Sequence, residues 1–230
     1  MARLTPGDVC VLVPAYNEAR HLHEVGSGIL NLGYPLLVVD DGSTDGTQDE
    51  AKKLSVPVLR FTENRGKGAA LRKGFEWVLE RPYQALIVVD ADGQHDPAEL
   101  EIFIEALNNG ADVVLGNRMC APSGMPFIRR ATNRTMSRVL SWIAGQDIPD
   151  SQCGYKAMKR EVVEKIWLRT DRFQIESEML LEAARRGFTI RSVPIRCLYG
   201  EETSRIRPLR DTARFFAFLF QYLLSRKKHL

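Results

Sequence analysis

The chain has 230 residues, 44 % of them hydrophobic and 27 % charged, with 32 basic and 29 acidic side chains. This composition excludes disordered and fibrous classes, and a net charge of +3 is too small for a generic nucleic-acid binder. A chain of this length buries roughly 70 % of its unfolded surface, enough for a full core without disulfide staples.

Cys10, Cys120, Cys153 and Cys197 stand far apart and form no C-x-x-C pair, so zinc-ribbon and redox motifs are absent and a reduced, cytoplasmic setting is expected. The N-terminal MARLTPGDVCVLVPAYNE lacks the apolar stretch of a signal peptide. Near the C-terminus, Phe215 to Ser225 gives eleven residues without a charge, well short of the roughly 20 that span a bilayer.

In chain order, strands are predicted at Val9–Pro14, Leu36–Asp40, Pro57–Phe61, Ala85–Asp90 and Asp112–Gly116. Helices are predicted between them at Asn17–Leu32, Thr44–Leu54, Lys67–Glu80 and Pro97–Asn108. Apolar strands without in/out alternation, separated by helices, imply an α/β fold whose mostly parallel sheet is covered on both faces. Further on, helices are expected at 129–144, 161–167 and 174–186, with small strands at 155–158 and 190–196. A last helix, from about Pro208 to Lys228, has a wide apolar face and a basic edge, the make-up of an interfacial helix. The plainer use of that face is packing on the core or on a second copy. The expected division is a catalytic domain at 1–207 and an amphipathic basic helix at 208–230.

Four polar loops follow successive predicted strands, on the edge where open α/β sheets bind ligands. Asp90-Ala91-Asp92-Gly93-Gln94 places two carboxylates at i and i+2 where they can converge on Mg²⁺ or Mn²⁺, with the Gln94 amide as a further oxygen ligand. Asp41, in Asp40-Asp41-Gly42-Ser43, suits a nucleobase or ribose. In Pro14-Ala15-Tyr16-Asn17-Glu18 the tyrosine can stack on a base. In Asn64-Arg65-Gly66-Lys67-Gly68 the small residues let the backbone approach a ligand and the two cations suit phosphate, though it is not a Walker loop. Each alone also reads as a solvated or well-capped turn; their concentration on one edge is what points to a site. Between Val113 and Gln146 there is no acidic residue, while Arg118, Arg129, Arg130, Arg134 and Arg138 give a local charge of +5.

The blocks PAYNE, VDDGSTDGT, NRGKGAALRKG and VVDADGQHDP, followed by GNR, DSQCGYK, ESEMLLEAARRG and VPI, resemble family 2 glycosyltransferases of the GT-A, Rossmann-like fold. Their order over residues 8–207 is similar to that of the polyprenyl-phosphate sugar synthases of the dolichyl-phosphate mannose type. The resemblance implies an inverting, metal-dependent transfer from a nucleotide sugar of the GDP-mannose or UDP-glucose class to a polyprenyl phosphate. It implies donor contacts at Pro14, Tyr16, Glu18, Asp41, Lys67, Asp90 and Gln152, and metal ligation by Asp90, Asp92 and Gln94. It assigns the acceptor phosphate to Arg118, Arg129 and Asn133, and a loop closing over the donor sugar to Asp150 and Gln152. Asp92, Arg118 and Asp150 are the expected catalytic residues. A lipid acceptor implies peripheral contact at the cytoplasmic face of the membrane.

Two alternatives remain at this point. A hydroxyl acceptor would need a carboxylate base, for which Asp150 is the first candidate. The D-x-D-G also fits haloacid-dehalogenase-type phosphatases, but those carry it on the first strand and here it follows the fourth. Glu176 and Glu178 either contact substrate or line a helix surface, and His95 reads as a structural loop residue.

Overall fold

The computed structural model describes residues 3–120, 125–196 and 208–226. Seven strands form one sheet in the order β3-β2-β1-β4-β6-β5-β7: β1 Val9–Ala15, β2 Leu36–Asp40, β3 Val58–Arg60, β4 Ala85–Val88, β5 Val113–Asn117, β6 Lys156–Lys159 and β7 Ile190–Pro194. All neighbouring pairs are parallel except those of β6, which runs antiparallel between β4 and β5. The helices are α1 Leu22–Asn31, α2 Thr47–Lys53, α3 Lys67–Leu79, α4 Leu100–Asn108, α5 Phe127–Ala144, α6 Arg160–Lys165, α7 Gln174–Arg185 and α8 Pro208–Arg226.

The strands are apolar on both sides because both sides are covered. Val9, Val11 and Val13 of β1 meet Leu22, Val25 and Ile29 of α1 and Phe103 and Leu107 of α4. Cys10 and Leu12 point the other way, into a core built with Leu71 and Phe75 of α3, Leu140 of α5 and Leu180 of α7. Phe215, Phe218 and Leu219 of α8 are buried in that same core.

Two predicted helices start later than their sequence indicates. The stretch after β1 stays a loop until Leu22: Asn17 has φ 55°, its N–H donates to Ser43 Oγ (2.9 Å), and its Oδ1 accepts from Thr44 N (2.9 Å). Glu18 N donates to Thr47 Oγ1 (2.8 Å), so the loops after β1 and β2 are zipped together and neither can coil early. Asp45 accepts from Thr47 N (2.9 Å) at the start of α2. The expected segment 97–108 divides into a 3-10 turn at Pro97–Glu99 and α4.

Antiparallel β6 has a consequence for the site. Its first residue, Lys156, pairs with Val88 and Leu115, so its N-terminal end lies where β4 and β5 have their C-terminal ends. The segment from Asp150 to Tyr155 is thereby delivered to the ligand edge of the sheet.

Candidate active site

The four loops predicted as ligand-binding do leave one edge, and the structure shows what each is tied to. Asp41 is buried and holds the loop after β3: Oδ1 accepts from Arg65 N (2.8 Å), and Oδ2 from Gly66 N (2.8 Å) and Asn64 Nδ2 (3.0 Å). Burial raises its carboxyl above the ordinary value, against the lowering effect of the Arg65 and Gly66 N–H groups. Pro14 lies within β1 in register with Val39, and Tyr16 is 36 % exposed at the mouth of the edge.

The small residues of the Gly66-Lys67-Gly68 turn were expected to admit a ligand. What approaches them is the chain itself. A Cβ at Gly68 would lie 2.2 Å from the Thr170 carbonyl oxygen, and one at Gly66, where φ is +97°, 2.3 Å from that of Asp171. Gly68 N donates to Asp171 O (2.7 Å). The 169–171 segment is in turn held by Glu178, which accepts from Arg169 N, Thr170 N (2.9 Å) and Thr170 Oγ1 (2.7 Å). Glu178 is therefore a buried residue that holds this segment, not helix surface.

Lys67 bridges two carboxylates, 2.6 Å from Asp90 Oδ1 and 2.6 Å from Glu176 Oε1. Glu176 also pairs with Lys156, whose ammonium additionally donates to the Cys153 carbonyl. Burial opposes the Asp90 charge, but Lys67 and the other cations nearby outweigh it and hold the carboxyl below its usual range. Gly154 packs against this carboxylate so closely that a Cβ there would lie 1.9 Å from Asp90 Oδ2.

A second buried cluster lies at the end of β5. Arg118 grips Asp150 in a bidentate pair, Nε to Oδ2 at 2.7 Å and Nη2 to Oδ1 at 2.9 Å, and its backbone N–H adds a third bond to Oδ2 at 3.1 Å. Asn133 Nδ2 donates to Asp150 Oδ1 at 2.7 Å. Burial pushes the Asp150 carboxyl up, and the Arg118 and Asn133 donors more than reverse this, leaving it below the ordinary value. Arg129 is half-buried one turn before Asn133 on the same face of α5, whereas Arg134 and Arg138 are exposed.

His95 lies within electrostatic reach of both clusters, Asp90 and Lys67 on one hand and Arg118 and Asp150 on the other. Its ring centroid is 5.3 Å from that of Tyr155, which stacks on Phe103 at 4.2 Å. Burial pushes its imidazole down to about 4, so it is neutral at pH 7 and a poor proton acceptor. The 150–156 segment is the hub: Asp150 holds Arg118, Gln152 Nε2 donates to Ser177 Oγ (3.3 Å), Gly154 abuts Asp90 and Lys156 meets Glu176. Sequence reasoning named Asp150 and Gln152 and missed Gly154, Tyr155 and Lys156; the D-S-Q-C-G-Y-K block was the signal that contained them.

Among the described residues no three His, Cys, Asp or Glu side chains converge as a metal cage. Asp90, Asp92 and Gln94 offer hard oxygens on a half-exposed turn, and Gln94 N donates to Asp92 Oδ1 at 3.0 Å. Such a set fits an Mg²⁺ or Mn²⁺ ion whose shell is completed by water and substrate phosphate.

Residues 10–167 match the family described as Glycosyl transferase family 2. The chain is 34 % identical over 223 residues to glycosyltransferase AglJ of Haloferax volcanii, covering 94 % of this chain and 72 % of that one. It is 36 % identical over 201 residues to the polyprenol monophosphomannose synthase of Mycolicibacterium smegmatis, covering 80 % and 75 %. Its fold is shared, at a TM-score of 0.73 and 21 % identity over 95 % of this chain and 78 % of the other, by glucosyl-3-phosphoglycerate synthase from Mycobacterium tuberculosis, solved with Mn²⁺, UDP and phosphoglyceric acid. The phosphatase alternative is thereby set aside: with the GT-A sheet, the polar loops along its ligand edge and these matches, the chain belongs to the family 2 glycosyltransferases.

Proposed function

We propose that this glycosyltransferase moves a sugar, with inversion, from a nucleotide sugar of the GDP-mannose or UDP-glucose class to a polyprenyl phosphate at the cytoplasmic face of a membrane. The observation that carries the acceptor class is the state of the carboxylates. Asp41, Asp150, Glu176 and Glu178 are all buried and already held by N–H donors or cations. A hydroxyl acceptor needs an idle base, and Asp150, the first candidate, is locked to Arg118 and Asn133 with its basicity reduced. A phosphate acceptor is already an anion and needs only to be held in line. The arginine-rich stretch supplies cations for that: Arg129 is half-buried beside the Arg118–Asp150–Asn133 cluster, and Arg118 and Asn133 would have to share their donors between Asp150 and the phosphate.

In this reading Tyr16, Glu18 and Asp41 line the nucleoside end of the donor, and Gln152 lies beside the donor sugar. Asp90, Asp92 and Gln94 would hold Mg²⁺ or Mn²⁺, which neutralises charge on the departing diphosphate. The similarity to the polyprenol monophosphomannose synthase supports a lipid-phosphate acceptor. So does α8, which buries Phe215, Phe218 and Leu219 yet exposes Phe216, Phe220, Leu223 and Leu224. No helix among the described residues is long and apolar enough to cross a membrane. The basic stripe expected on α8 falls mostly on side chains outside the described residues; Gln221 is exposed.

The test is transfer by the purified protein, with Mg²⁺ and a panel of nucleotide sugars, to polyprenyl phosphate and to the matching polyprenol. Mass spectrometry should find the sugar on the phosphate. Transfer to the polyprenol and not to its phosphate would overturn the reading.

A further inference from the structure

The Lys67–Asp90–Glu176–Lys156 cluster balances its own charge: two ammonium groups and two carboxylates sum to zero. It is also largely shut away from water, with side-chain exposures of 14 % for Lys67, 28 % for Asp90, 4 % for Glu176 and 1 % for Lys156. On Asp90, Oδ1 is taken by the Lys67 ammonium and Oδ2 is crowded by the Gly154 backbone. A divalent ion arriving alone at Asp90 meets a cation already seated on the carboxylate. Even with the Asp92 carboxylate offsetting one of its charges, it would leave the half-buried cluster with an uncompensated positive charge, an unfavourable state where solvent screening is weak. An ion arriving with a diphosphate brings the missing negative charge.

From this arrangement we infer that Lys67 is a built-in competitor for the divalent ion at Asp90, a positioning residue that makes the ion and the donor diphosphate bind together rather than separately. Glu176, 2.6 Å from Lys67 Nζ, keeps hold of the ammonium when Asp90 is given up to the ion. The bare ion is held weakly, and each of the two ligands raises the affinity of the other by the same factor, as linkage requires. This inference rests on the reading of Asp90 as a metal ligand.

The experiment is calorimetric titration of the full chain with Mn²⁺ alone, and with UDP or GDP in the absence and presence of Mn²⁺. Wild type should bind Mn²⁺ alone weakly and the nucleotide far more tightly when Mn²⁺ is present. Lys67→Met should bind Mn²⁺ alone about tenfold or more tightly than wild type, the scale on which one neighbouring charge shifts occupancy of a carboxylate. Its nucleotide affinity should depend less on Mn²⁺. Lys67→Arg, which keeps the charge, should behave like wild type. Melting curves report whether each variant is folded. Wild-type Mn²⁺ affinity in a folded Lys67→Met, with a loss in Asp90→Asn, would overturn the inference while leaving the metal site standing. Unchanged Mn²⁺ binding in Asp90→Asn would overturn the metal site and the inference with it. If Lys67→Met does not fold, wild type decides: bare Mn²⁺ bound tightly, with no dependence of nucleotide affinity on the ion, refutes the competition.

Discussion

Gly154→Ala tests whether the position of the Asp90 carboxylate matters. A Cβ at 154 would lie 1.9 Å from Asp90 Oδ2 and 2.3 Å from its Cγ, whereas real Cβ contacts essentially never fall below 3.0 Å. The carboxylate must therefore retreat by about 1.1 Å, away from the seat that Lys67 marks at 2.6 Å from Oδ1. Gly154 does not have a positive φ, so the new methyl strains space and not backbone. Overpacking of this kind costs about 1–3 kcal/mol, which leaves the domain folded. A displacement of about 1 Å in a catalytic group can cost about 100-fold in rate. The expected outcome is a small drop in melting temperature, a loss of about 100-fold in nucleoside diphosphate release from donor plus acceptor, and a weakened Mn²⁺-dependent shift with nucleotide. A folded Gly154→Ala enzyme turning over at the wild-type rate would show that catalysis does not depend on Asp90 where this structure has it.

Asp92→Ala should abolish Mn²⁺-dependent nucleotide binding and transfer with little change in melting temperature; retention of the metal-dependent thermal shift would remove Asp92 from the ligand set. Arg118→Gln strips the buried Asp150 of its cation and should cost about 3–5 kcal/mol in urea unfolding, against near-zero cost if the pair were solvated. Because the Asp150 carboxyl is held below its unfolded value, its contribution is full above about pH 4 and is lost as pH falls toward the folded value, so Asp150→Asn should flatten the acid limb of a melting-temperature profile. Replacing Phe216, Phe220 and Leu223 together by serine should abolish flotation with anionic liposomes while sparing the melting temperature, since these side chains are exposed. Truncation before α8 would instead also strip Phe215, Phe218 and Leu219 from the core, so unaltered flotation of the serine variant is the result that speaks against membrane docking.

Much of the fold was legible because its signals are local. Five apolar runs without alternation, each closed by a polar turn, specify a sheet buried on both faces, and the D-D-G-S and D-x-D turns mark its ligand edge whatever the rest of the chain does. The amphipathic face of the last helix could also be read, but not how it is shared: tertiary packing buries Phe215 and leaves Phe216 exposed, a division that depends on where α5 and α7 stand. Other features are decided only by contacts between distant segments. The direction of β6 cannot be inferred from Lys156–Lys159, because a short strand has the same side-chain pattern whether it pairs parallel or antiparallel; its partners β4 and β5 decide it, and with it the arrival of Asp150 and Gly154 at the site. The same holds for the glycines at 66 and 68, which read as room for a ligand and are in fact room for the carbonyls of Thr170 and Asp171 about a hundred residues away. Residue type and spacing determined which groups carry the charge. Only the folded chain determined that Lys67 faces Asp90 and that Arg118 faces Asp150, since a charge has no preferred partner until packing brings one within hydrogen-bond distance and excludes water from the pair.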